Sequence, residues 1–207
     1  MRRVLILMAV AMLASGAAMA ESVTAAASPH NLSSTGPGAT YDTTEVCVFC
    51  HTPHQPAAQT QDPLWNHTLS GAGNYGIYDS DTMDATPVEI NGSGSASVLC
   101  MSCHDGTVAV GSMYNGPTVL LTAGGNVDGS GFITGAPLVG TDLTNDHPVN
   151  FDYSVSVAAN AADWNDPPSN AKLFGGSVQC ASCHNAHDNA NGAFLVISNA
   201  NSDLCTN

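Results

Sequence analysis

Cys47-Val48-Phe49-Cys50-His51-Thr52-Pro53-His54 is the stretch that decides how this chain folds. Its first five residues form the string Cys-x-x-Cys-His. The string returns at Cys100-Met101-Ser102-Cys103-His104 and again at Cys180-Ala181-Ser182-Cys183-His184. With seven cysteines and eight histidines in 207 residues, such a string arises by chance on the order of 0.01 times. Three copies are not an accident of cysteine content, and the rest of the sequence is read outward from them.

The spacing has a chemical reason. In a c-type haem site two thiols add across the two vinyl groups of a porphyrin, and the histidine that follows reaches the iron as its proximal ligand. Zinc would need two cysteine pairs, or one pair and distant histidines, to close one tetrahedron. Here every pair carries its own histidine, and three pairs leave a remainder. A thioredoxin-like dithiol comes once, inside a βαβ pattern that this sequence lacks. The expectation is therefore covalent haem c on Cys47 and Cys50, on Cys100 and Cys103, and on Cys180 and Cys183, with His51, His104 and His184 proximal.

Five histidines remain as candidate distal ligands: His30, His54, His67, His147 and His187. His54 and His187 each follow a proximal histidine by three residues. The two axial positions of an iron lie on opposite porphyrin faces, so these two are expected to serve neighbouring haems rather than their own. The proline after His147 favours an extended backbone and a projecting ring. His67 follows Pro63-Leu64-Trp65-Asn66, where Trp65 suits a porphyrin face whether or not His67 binds iron. His30 lies near the start of the mature chain, on an arm that is a candidate to reach another subunit. Met83, Met101 and Met113 are the competing sulfur ligands, and bis-histidine ligation is the preferred reading.

Residues 1–20 have the three regions of a secretory signal peptide: Arg2-Arg3, the apolar run Val4 to Ala14, and the small-x-small sequence Ala18-Met19-Ala20. The run is too short to span a bilayer. Cleavage there leaves Lys172 as the one basic residue against 17 acidic ones, which argues against nucleic acid and anionic membranes as partners. An exported location is expected, periplasmic or extracellular, with extracellular favoured.

Residues 21–207 read as a single multihaem domain. Only 10% of residues are charged, while Gly and Pro number 20 and 11, so long regular elements are not expected. The fold class expected is mostly irregular coil with short helices and a few short strands, cored by haem. A porphyrin for every ~60 residues supplies apolar surface that the chain itself lacks. Helix is expected in turns around the motifs and near Val155 to Ala162. Residues 106–146, with nine glycines, read as loops and one hairpin built from runs such as Val119-Leu120-Leu121. No linker divides the chain.

The sequence stops at Ser202-Asp203-Leu204-Cys205-Thr206-Asn207. A cysteine and a histidine more would complete a fourth motif, so the chain is expected to continue, with Cys205 a thioether attachment point. In order, Ser28-Pro29-His30, Cys47 to His54, Pro63-Leu64-Trp65-Asn66-His67, Cys100 to Thr107, Asp146-His147-Pro148, Cys180 to His187 and Asp203-Leu204-Cys205 resemble the tetrahaem c-type cytochromes of metal-reducing bacteria. These include the OmcE-like extracellular nanowire cytochromes.

The resemblance touches nearly the whole mature chain, although its specific parts are the haem motifs. It implies bis-histidine haems, little regular structure and electron transfer along closely spaced porphyrins. In filament-forming members a histidine of one subunit ligates a haem of the next. The partners implied are redox proteins or extracellular electron acceptors, and a homopolymer joined by such ligation. The expected function is electron transfer rather than catalysis. The alternatives are a multihaem periplasmic reductase with one open haem site, which would need proton donors and a cationic clamp, and a structural subunit whose haems mainly hold a scaffold.

Overall fold

The computed structural model describes residues 22–38, 40–57, 63–91, 95–116, 119–162, 166–167 and 171–206. The expected signal peptide lies outside the described residues. Most of the described chain is turn and coil, as its glycine and proline content dictates. No helix among the described residues is long and apolar enough to cross a membrane.

The helices cluster at the cysteine motifs. The first motif forms a 3-10 turn, Val46–Phe49; the second forms α1, Ser97–His104; the third forms α3, Cys180–Cys183. Between the last two lies α2, Tyr153–Ala159, and the described chain ends on α4, Asp203–Thr206. α2 begins two residues before the expected Val155 and stops three short of Ala162. Its start is set by Asp152, whose side chain accepts the Ser154 N–H and satisfies one free donor of the first turn.

Four two-residue strands form two antiparallel ribbons. β1, Thr40–Tyr41, pairs with β2, Leu121–Thr122, and β3, Phe151–Asp152, pairs with β4, Ser177–Val178. The Leu120-Leu121 run thus finds its partner some eighty residues upstream rather than in a local hairpin. The region around it keeps only isolated bridges, Gly124 with Val127 and Val127 with Ile133. The difference has a packing cause. Pairing with β1 brings Leu121 to the cluster of Tyr41, Phe49, Val110 and Ile133. Gly111 lets Tyr41 lie flat there, since a Cβ at this position would stand 2.4 Å from the ring.

A second cluster gathers Tyr75, Ile90, Val98, Leu99, Met101 and Leu143. Both clusters are small, and many of the fully buried side chains are Ser, Asn or His. Hydrogen bonding does much of the work elsewhere. Buried Asn66 donates to the Val48 carbonyl at 2.6 Å and accepts from the Asn115 N–H at 2.9 Å, tying the first motif to residues 111–116.

α1 and α3 meet at their N-termini and cap each other. The Ser97 N–H donates to the Gln179 side-chain carbonyl at 3.0 Å, and the Cys180 N–H donates to the Ser97 hydroxyl at 3.1 Å. This exchange satisfies donors that a helix start leaves free. It also brings the second and third motifs together.

Candidate functional site

Each proximal histidine is set by its motif and then fixed by a distant carbonyl. The His51 N–H closes the first turn onto the Cys47 carbonyl at 2.9 Å, and its Nδ1 meets the Pro63 carbonyl at 2.5 Å. His104 ends α1, with Nδ1 2.8 Å from the Pro137 carbonyl. His184 follows α3, with Nδ1 2.8 Å from the Ala193 carbonyl. A neutral imidazole whose Nδ1–H donates to a carbonyl keeps its lone pair on Nε2, the tautomer and ring fixation that metal-binding histidines use.

The backbone around these contacts repeats. The residue after the accepting carbonyl is apolar in each case: Leu64, Leu138 or Phe194. At the first and third sites its own carbonyl accepts the N–H of the residue following the histidine: Thr52 to Leu64 at 2.9 Å, Asn185 to Phe194 at 2.6 Å. At the second site the direction reverses, and Val139 and Gly140 donate to the His104 carbonyl at 2.9 and 3.1 Å. Sequence reasoning missed these clamps because a carbonyl acceptor leaves no side-chain signature. The Pro63-Leu64 and Pro137-Leu138 dipeptides were the one available signal.

Every proximal imidazole faces one further histidine. His51 and His187 have ring centroids 6.0 Å apart at an interplanar angle of 9°; His184 and His147 are 6.3 Å apart at 19°; His104 and His30 are 6.1 Å apart at 66°. Two imidazoles bound through nitrogen to one metal, at about 2 Å per bond, have centroids on the order of 6 Å apart. His187 therefore meets the first motif and not its own. Burial holds His30 below the usual imidazole range, despite the Ala186 carbonyl that acts the other way; its neutral form suits a metal ligand.

The remaining candidates are placed differently. His67 is fully buried, with Nδ1 2.7 Å from the Thr68 carbonyl and Nε2 3.1 Å from the Ala109 carbonyl. A neutral imidazole donates through one nitrogen only, so one of these carbonyls accepts from His67 and the other only lies beside it; no histidine ring is stacked on His67 among the described residues. Burial also pushes its titration below the usual range, with backbone carbonyls opposing. His54 is exposed and is not brought to a proximal histidine; its carbonyl accepts from Thr52 at 2.8 Å and from Asn115 at 2.9 Å. His30 does not extend away on an arm. It docks on its own chain through the Ala186 carbonyl at 3.1 Å, beside the Val23 to His187 backbone bond of 2.9 Å.

All seven cysteines are unpaired. Cys50 sits at the surface with enough protein around it that desolvation, reinforced by Cys47, pushes its thiol up to about 11. Burial, then Cys50, raises Cys103 well above the thiol range. The hydrogen bond between Cys100 and Cys180 raises Cys100 and lowers Cys180. Burial, then Cys205, raises Cys183.

Among the described residues no group of three or more His, Cys, Asp or Glu gathers to hold a metal ion. The sites consist instead of imidazole pairs, and two axial donors are what an iron already held by four porphyrin nitrogens requires. The residues present fit haem. Trp65, edge-on to His51 at 6.4 Å, has a buried indole N–H with no hydrogen-bond partner, as a group seated beside His51 would leave it in the bare chain. No protein-family model matches the chain, and a search of curated proteins finds no match to it.

Proposed function

We propose that the protein is an exported multihaem c-type cytochrome that carries electrons, with each of its three haems ligated by two histidines. The observation that carries this reading is the pairing of every Cys-x-x-Cys-His imidazole with one further imidazole at 6.0 to 6.3 Å. Cys47 and Cys50 would hold haem 1 between His51 and His187; Cys100 and Cys103 would hold haem 2 between His104 and His30; Cys180 and Cys183 would hold haem 3 between His184 and His147. The haem supplies a one-electron couple that the side chains lack.

The chain's own part is to hold these groups close and closed. The α1–α3 cap would keep haems 2 and 3 adjacent, and the three-residue step from His184 to His187 would join haems 3 and 1. The carbonyls of Pro63, Pro137 and Ala193 orient the proximal rings. If both imidazoles of each pair bound the iron of its haem, no coordination position would be left for a substrate. Lys172, the one basic residue after the leader, lies over the Phe174 ring at 5.1 Å. A reductase acting on an anion would need more positive charge than this.

His54 and Cys205 extend the reading outward. Exposed His54, which faces no proximal histidine of its own chain, is a candidate ligand for a haem of a neighbouring copy. A fourth haem on Cys205, completed by His54 of a neighbouring copy, would join subunits head to tail into an open filament.

The test is the mass and the spectrum of the exported protein, made in a host that attaches haem c. The mass exceeds that of the polypeptide by at least three haems. The ferrous protein ignores carbon monoxide. Bare polypeptide mass overturns the proposal, and full carbon monoxide binding at one iron overturns its electron-carrier half.

A further inference from the structure

We propose that haem 2 is electronically unlike haems 1 and 3, because Phe194 holds its distal imidazole crossed to its proximal one. This rests on the haem reading above. His104 and His30 meet at 66°, against 9° and 19° for the other two pairs.

Each ring of the crossed pair has its own restraint. The Nδ1 of His104 is fixed at 2.8 Å by the Pro137 carbonyl, at the end of a helix whose last carbonyl is bonded to Val139 and Gly140. The Nδ1 of His30 is fixed at 3.1 Å by the Ala186 carbonyl. One hydrogen bond still leaves a ring free to rock about it. Phe194 removes that freedom: its ring stacks on His30 with centroids 4.1 Å apart and planes 12° from parallel.

Phe194 is itself held for this. Its backbone is left-handed, φ 57°, and so is that of Ala193, φ 46°. A bulky residue keeps such a conformation only where its surroundings impose it. The imposing contacts are the 2.6 Å bond from the Asn185 N–H to the Phe194 carbonyl and the bridge between His184 and Leu195. No aromatic side chain other than the proximal histidine is stacked on His187 or His147 among the described residues. The turn that clamps the proximal ligand of haem 3 therefore also orients the distal ligand of haem 2.

The angle matters because a planar imidazole donates π density into the iron d orbital perpendicular to its ring. Parallel rings load the same orbital and split it from its neighbour. Crossed rings load one orbital each and leave the two nearly level, so orbital momentum survives and the low-spin ferric signal spreads to much larger anisotropy. Protein control of axial ligands by their hydrogen bonds and packing is one of the levers on haem electronics.

The experiment is electron paramagnetic resonance of the fully oxidised holoprotein, with haem content fixed by intact mass. The expected spectrum holds rhombic low-spin signals and one low-spin signal of large anisotropy. Phe194→Ala loses that one signal, converting it to a rhombic or high-spin form, and keeps the haem count and the other signals. Phe194→Tyr, which keeps a ring to stack, retains it. A purely structural role for Phe194 would broaden all signals alike, and that result overturns the proposal. So does a wild-type spectrum with rhombic signals alone, or a Phe194→Ala spectrum identical to wild type. A protein whose mass shows no haem fails the reading on which this one rests, and the two failures are told apart by the mass.

Discussion

The histidines show how far a residue's type alone determines its role. His51, His104 and His184 stand out in sequence, because each directly follows a Cys-x-x-Cys pair, and in the structure each faces one further imidazole. Their partners do not stand out. His30, His147 and His187 lie 74, 37 and 136 positions from the histidines they face, and only the folded chain selects which meets which. His67 had the same standing in sequence as His30, yet its two nitrogens face the Thr68 and Ala109 carbonyls. Replacing it should therefore separate packing from ligation. His67→Ala is expected to lower stability by about 1–3 kcal/mol, the cost of losing a buried hydrogen-bonded group, measured by denaturant unfolding. It should leave every haem low-spin. A new high-spin signal in this variant would make His67 a ligand after all.

At the scale of elements, the short helices are legible where the Cys-x-x-Cys-His strings lie and poorly legible elsewhere. α1 and α3 coincide with motifs. β2 was expected in a local hairpin, but its partner is β1, because the apolar cluster around Tyr41 offers Leu121 a place that a local turn does not. α2 shows what governs an element that carries no Cys-x-x-Cys-His string. Its start rests on exposed Asp152, whose carboxylate accepts from the Ser154 hydroxyl at 2.7 Å and from the Ser154 N–H at 2.8 Å. Those bonds, the hydroxyl's first, hold its titration below the ordinary carboxylate value of 3.8. A group whose folded value is depressed contributes stability above the unfolded value and loses it as pH falls through the folded one. Protection of the Ser154 amide, its exchange rate relative to an unstructured amide at the same pH, is thus expected to be steady above about pH 4 and to fall as the solution is made more acid. Asp152→Asn, which still caps, should flatten that acid dependence; an unchanged profile would assign it to another group.

For the whole molecule, the expectation of a mostly irregular chain holds, and the physical reason lies in how little apolar material is available. Two small clusters and a large buried complement of Ser and Asn hold the described residues together. The imidazole pairs have a topological consequence. On the proposed function, each pair is a cross-link of the chain through its iron, and the three closures differ greatly in span. Tying His51 to His187 closes a loop of 136 positions, whereas His147 to His184 closes one of 37. The entropy that a closure removes from the unfolded chain grows with the logarithm of loop length. His187→Ala should therefore destabilise the holoprotein more than His147→Ala, by about 1 kcal/mol on loop length alone, read from the two unfolding midpoints. Equal losses would mean that local packing, rather than closure, sets what each ligand contributes. On the proposed function, a chain with so thin a core would owe its shape to where it is laced, above all at the closure that ties the first motif to the third.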